Sequence, residues 1–177
     1  MVGTALIACA LAPAAAHAQA WNSASNVLAV GLPALAAYEV YQHSDTEGAR
    51  QLAMGLGGTL GSTLVLKSQI HAMRPNGKDN DSMPSGHTAI AFAAARFINE
   101  RYGDSVSPVL LYGAASLTGV ARVRANQHHW RDVVAGGALG YAWGSWLTTP
   151  ANALPAGAKV AVLPQPGGVW VNWQQVW

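Results

Sequence analysis

The chain has 177 residues, enough for one domain with a substantial core and too few for two ordinary domains and their connection. Hydrophobic residues make up 51% of it and charged ones only 10%, against roughly 25% charged in soluble globular chains, which points to a membrane-contacting protein or an unusually apolar bundle. A net charge of +2 with no run of Lys or Arg lacks the electrostatic footprint of a nucleic-acid binder, so no nucleic-acid partner is expected.

Residues 1–18, MVGTALIACALAPAAAHA, form an apolar run closing in Ala16-His17-Ala18, the small-x-small pattern of a secretory cleavage site. The expectation is a signal peptide and an exported protein, in the periplasm or on the periplasmic face of the inner membrane. Because no Lys or Arg precedes the run, an uncleaved helix is the alternative. Cys9, the only cysteine, lies inside it, so the mature chain would carry no thiol and no disulfide.

Charges divide the remaining chain into apolar stretches at Asn22 to Tyr38, Gln51 to Leu66, His87 to Ala95, Ser105 to Ala121 and Val133 to Thr149. Rich in Ala, Gly and Leu and poor in strand signals, they predict five helices. They are short for membrane spans, which need roughly 20 residues, so short spans and buried bundle helices both fit. Gly57-x-x-x-Gly61 and Gly136-x-x-x-Gly140-x-x-x-Gly144 each put small residues on one helical face, where backbones can approach closely. After Pro150 the composition turns to Pro, Gly, Val and Trp, and two β-prone runs, Lys159 to Leu163 and Val169 to Trp173, flank Pro164-Gln165-Pro166-Gly167-Gly168, which reads as a hairpin. Its tryptophans suit either packing on the bundle or a lipid headgroup zone. The fold expected is thus all-α, a compact bundle of about five helices with a small C-terminal β-hairpin, organised as signal 1–18, helical domain 19–150 and tail 151–177.

Three polar segments break the apolar pattern. In Lys67-Ser-Gln-Ile-His-Ala-Met-Arg74-Pro75 two cations lie seven residues apart, on one face if the helix continues, and Pro75 would end that helix at Arg74. Ser82-Met-Pro-Ser85-Gly86-His87 runs into the third apolar stretch. Ser85 suits an N-cap, Gly86 permits close backbone approach, and the free N–H groups of a helix start favour an anion, so the segment reads as a phosphate cradle. In Arg122-Val-Arg-Ala-Asn-Gln-His128-His129-Trp-Arg-Asp132, a helix starting at His128 would bring Asp132 to the imidazole Nδ1 and leave Nε2 free as a nucleophile. On this spacing alone His129 competes for the role. No cysteine or H-x-x-x-H spacing supports a zinc site, and Asp79-Asn80-Asp81 lacks the later Gly and Glu of a calcium loop. No metal is expected.

Taken together, Lys-x6-Arg-Pro, Pro-Ser-Gly-His and Arg-x5-His-x3-Asp, in this order and at the borders of apolar helices, resemble the three-part signature of the type-2 phosphatidic acid phosphatase and vanadium haloperoxidase superfamily. The likeness covers Lys67 to about Gly140. One departure is Ala121, where the third motif usually has Ser. The resemblance implies that His128, rather than His129, attacks phosphorus, that Asp132 orients it and that His87 protonates the leaving group. Lys67, Arg74, Ser85, Gly86 and Arg122 would bind the phosphate. It implies further a metal-independent phosphatase acting through a phosphohistidine on phosphate monoesters or diphosphates of lipids, with the membrane as partner and no cofactor. Two other readings stay open at this point: a soluble secreted acid phosphatase of broad range, and a haloperoxidase with vanadate bound in the same pocket. Oligomeric state is not legible.

Overall fold

The computed structural model describes the backbone of residues 3–152, 159–165 and 168–174, and side chains of 16–103 and 105–152. Helix α1 spans Gly3–Gln42, α2 Thr46–Ile70, α3 Gly86–Tyr102, α4 Pro108–Arg124 and α5 Trp130–Leu147, with a 3-10 turn at Gly103–Ser105. The expected all-α, five-helix architecture is what these residues form. Among the described residues no helix is both long and apolar enough to cross a membrane.

Helices α1 and α3 run furthest past their sequence boundaries. Helix α1 passes through Ala18 without a break. Helix α3 continues past Ala95 to Tyr102 because its charged end is satisfied within the fold: Arg96 pairs with Glu100 one turn on, and Arg101 is bound to Asp45. The starts of α2 and α4 follow local rules. The Asp45 carboxylate caps α2 by accepting from the Gly48 N–H at 2.8 Å, and Pro108, with no N–H to leave unpaired, opens α4 after Ser107.

Helix α3 is the centre and packs on all four others. Its Ala89, Ala91, Ala94, Ala95 and Ile98 are fully buried, and the core extends to Leu32 and Ala36 of α1, Leu52 of α2, and Leu111 and Ala115 of α4. So many alanines let backbones approach closely, most of all along α5. A Cβ on Gly136 would lie 2.4 Å from the Ser85 carbonyl oxygen, and one on Gly140 only 1.9 Å from that of Ala89. Overpacking of this kind cannot be relieved by a rotamer change, so the stripe fixes the start of α5 beside the start of α3.

The Gly57-x-x-x-Gly61 stripe does not behave this way. Among the described residues a Cβ at either position would meet nothing within 4 Å. The close approach of α2 to α5 falls instead at Gly58, where a Cβ would sit 2.7 Å from the Trp143 ring, whose indole N–H donates to Ser62 Oγ at 2.9 Å.

At the tail the backbone of Lys159–Gln165 runs antiparallel to that of Gly168–Gln174. The intervening turn and all side chains of this segment lie outside the described residues, so the expected hairpin, as a unit packed on the bundle or lying at a lipid surface, is not shown.

Candidate active site

The three polar segments meet at one end of the bundle, where α2 and α4 finish and α3 and α5 begin. Their backbones are tied together: Ser85 N–H donates to the Asp132 carbonyl at 2.9 Å, Ser82 N–H to that of Ala72 at 2.9 Å, and Gln127 N–H to that of Arg122 at 3.0 Å.

His128 is buried, at 2% exposure. Its Nδ1 lies 2.7 Å from the Ser82 carbonyl oxygen; a carbonyl only accepts, so Nδ1 carries the proton and Nε2 keeps its lone pair. This corrects the expectation of a direct bond to Asp132. Helix α5 begins at Trp130, with His129 as its N-cap and His128 outside it, so the two residues do not share a helix face and the carboxylate stands 3.9 Å from Nδ1. Asp132 Oδ2 accepts from Ser82 Oγ and, at 2.8 Å, from the His129 N–H. It therefore fixes the Ser82 segment and the helix cap that hold the imidazole. His129 turns away, its Nε2 3.2 Å from the Met73 carbonyl.

Arg74 is a second correction. Helix α2 stops at Ile70 with His71 in the left-handed region, so Arg74 lies in the following loop, four residues beyond the helix, and shares no helix face with Lys67. It reaches the site through the loop: its Nε donates to Asp79 and its Nη1 to Gln127 Oε1 at 3.2 Å, directly before His128. Lys67 donates to the Asp81 carbonyl. The Asp79-Asn80-Asp81 loop thus steers two of the cations. Burial, then Arg74, pushes the Lys67 pKa down, and the same two causes bring Arg122 down to about 10.

Ser85 occupies the N-cap of α3, as expected, but its hydroxyl pairs with Thr88 Oγ1 at 3.0 Å instead of a backbone N–H. Gly86 opens the helix, where backbone N–H groups lack helical partners. His87 follows, half-buried. Burial first, and then Arg122, Arg74 and Lys67, hold its pKa at about 4 and that of His128 at about 3. Both imidazoles are therefore neutral at neutral pH in this geometry. Among the described residues no three His, Cys, Asp or Glu side chains converge as metal ligands.

The family model described as PAP2 superfamily matches residues 64–153, about half of the chain and all three polar segments. The chain belongs to the PAP2 superfamily. A lipid A 1-phosphatase of Porphyromonas gingivalis is 41% identical over 91 residues, which are 50% of this chain and 20% of the relative. The chain thus spans only about a fifth of that relative's length. No solved structure gives a significant match.

The PAP2 match begins within α2, yet α1 also reaches the site. Asn22 Oδ1 accepts from Arg122 Nη1 at 2.8 Å, Ser25 Oγ lies 3.3 Å from the same nitrogen, and Asn26 Oδ1 is 2.9 Å from His87 Nε2. Sequence reasoning missed these three. Their signal was there: polar residues at i, i+3 and i+4 in an otherwise apolar helix place one polar face. Ser82 was passed over as well, since its role depends on a carbonyl and a hydroxyl whose directions only the fold sets.

Proposed function

We propose that this PAP2 protein is a phosphatase that releases phosphate from a lipid phosphate or diphosphate through a phosphohistidine on His128. The observation that carries the reading is Arg122. It is buried, at 5% exposure, pairs with no carboxylate among the described residues, and its Nε–H makes no hydrogen bond. An uncompensated buried charge is costly, and a multiply charged anion beside Arg122, Arg74 and Lys67 supplies the compensation. The Porphyromonas gingivalis relative, named for action on lipid A, supports a lipid phosphate as substrate.

In this mechanism the three cations, with Ser85 and the Gly86 N–H, gather the charge that spreads over the phosphoryl oxygens. His128 Nε2 attacks phosphorus in line, and the bond from phosphorus to the leaving oxygen breaks. Binding of the anion offsets the cations that depress His87, so the imidazole takes up a proton with the substrate and passes it to the leaving oxygen. Neutral His87 then accepts a proton from water as that water attacks phosphorus, the P–N bond breaks, and inorganic phosphate leaves. The Ser82 carbonyl stabilises the charge that develops on the His128 ring. No step calls for a metal ion.

The enzyme is further proposed to be exported and to work at the periplasmic membrane face. A cut after Ala18 would leave Asn22, Ser25 and Asn26, the α1 residues that touch the site, in the chain. Protein that sediments with membranes and resists carbonate extraction is the expected result.

Incubation with a ³²P-labelled lipid phosphate in EDTA, followed by rapid denaturation, tests the chemistry. Acid-labile label on the wild-type protein and none on His128→Ala is expected. Activity abolished by EDTA and restored by zinc or magnesium would overturn the reading.

A further inference from the structure

Helices α1 and α2 both pack on α3 but touch each other little, and they leave between them a cleft of about 640 Å³ floored by the start of α3. Its walls are hydrocarbon: Ala29 and Val30 from α1, Leu60 and Leu64 from α2, Ile90 from α3. One end is polar, formed by Asn26, Lys67, Gly86 and His87, the last three being the residues proposed above for phosphate binding and leaving-group protonation. We propose that this cleft holds the hydrocarbon chain of the substrate's leaving group, an inference that rests on the phosphatase reading.

Three features support this occupant over any other apolar one. The cleft is continuous with the cationic site, so a molecule filling both has an anionic head and an apolar tail. An in-line displacement places the leaving oxygen opposite the nucleophile, which is the side of the acid, and His87 lines the cleft while His128 does not. Thr63 lines the cleft beside Gly86, is only 3% exposed, and its hydroxyl has no partner among the described residues. A buried polar group without a partner is expensive, and an ester or hydroxyl oxygen next to the phosphate would satisfy it. The apolar groove of about 570 Å³ on α4 and α5, with Trp130, Val134 and Tyr141 in its wall, contains none of the site's cations or its two histidines. It serves as the internal control.

Binding of n-alkylphosphonates, from methyl to decyl and below their micellar concentrations, can be measured by titration calorimetry without any turnover. The expected wild-type affinity rises about two- to fourfold per added methylene until the cleft is filled. In Leu64→Asn with Val30→Asn, both at exposed rim positions of 66% and 70%, the decyl-to-methyl affinity ratio should fall at least tenfold; each substitution is also read singly. In Val134→Asn that ratio should persist. An affinity independent of chain length in the wild type would sink the proposal, as would a ratio that survives in the cleft variants and collapses in Val134→Asn. Because phosphonates are not hydrolysed, a chain-length slope in a protein that releases no phosphate from any ester keeps the cleft as an amphiphile site and rejects the phosphatase.

Discussion

Arg101 near one end of α3 and Arg122 beside the other are both nearly buried, at 7% and 5% exposure, and they are held in opposite ways. Arg101 forms a fork to Asp45 with two bonds of 2.7 Å, adds the Thr149 carbonyl at 2.8 Å, and Asp45 in turn caps α2 and accepts from Tyr102. Every partner is internal, so this end joins α2, α3 and the chain after α5 into a fixed unit. Among the described residues Arg122 has an amide and a hydroxyl oxygen from α1 and no carboxylate, and it stands near Arg74. Along roughly 22 Å of helix, one buried arginine is compensated by a carboxylate of the fold and the other, among the described residues, is not. Burial of a charge therefore says little by itself; whether the fold supplies its counter-ion separates structure from binding.

The strongest test of that contrast is at the binding end. His128→Ala should lower turnover on the order of 10⁴-fold or more, the scale of removing a nucleophile, while His129→Ala stays within about tenfold, and both should unfold near the wild-type temperature. A dead His129→Ala beside an active His128→Ala would reverse the assignment.

Exchanging each arginine for Met comes next. Arg122→Met should reduce kcat/KM by about 10² to 10³ through loss of a fixed donor yet leave unfolding free energy unchanged or raised, because a buried charge without a partner is removed. Arg101→Met should cost about 3 to 5 kcal/mol by stranding Asp45, with kcat per folded molecule intact. Adding Asp45→Asn, which keeps the helix cap, should recover part of that loss. Urea melts combined with steady-state kinetics read both. Equal destabilisation by the two Met variants would erase the distinction.

A smaller effect lies on the seam that joins the two ends. Gly140→Ala should destabilise by about 1 to 3 kcal/mol, since its Cβ meets backbone. Gly61→Ala, facing open space on α2, should gain up to about 1 kcal/mol from helix propensity.

Acid separates the ends by pH window. His87 and His128 sit at about 4 and about 3 in the fold and return to about 6.5 when unfolded. Between those limits the unfolded chain binds more protons, so stability falls as pH drops from about 6.5 toward 4 and 3. The Arg101 hydrogen bonds depress Asp45 to about 2, so its contribution is complete above about pH 4 and is lost as pH falls through 2. Saturating tungstate, by neutralising the cations around the histidines, should recover the first window and leave the second untouched in thermal melts across pH.

Much of the candidate site was legible because its residues are polar where their surroundings are not. Lys67, Arg74, His87, Arg122, His128 and Asp132 stand at borders of apolar stretches, and a charge at such a border is conspicuous in one dimension. Helix boundaries were less legible. Arg96, Glu100 and Arg101 looked like the end of a helix and proved to be inside one, because their partners are a turn or a whole helix away.

The sequence by itself determined the five helices, the family, and the identity of the charged groups, since periodicity, composition and motif spacing are local properties of the chain. Tertiary structure decided the rest: that Ser82 and not Asp132 meets the His128 ring, that Arg74 arrives from a loop, that α1 supplies Asn22, Ser25 and Asn26, and that one glycine stripe is a helix seam while the other meets none of the described residues. Each of these depends on directions and distances between segments far apart in the chain. Those are set by how α3 is surrounded, a property no single segment carries.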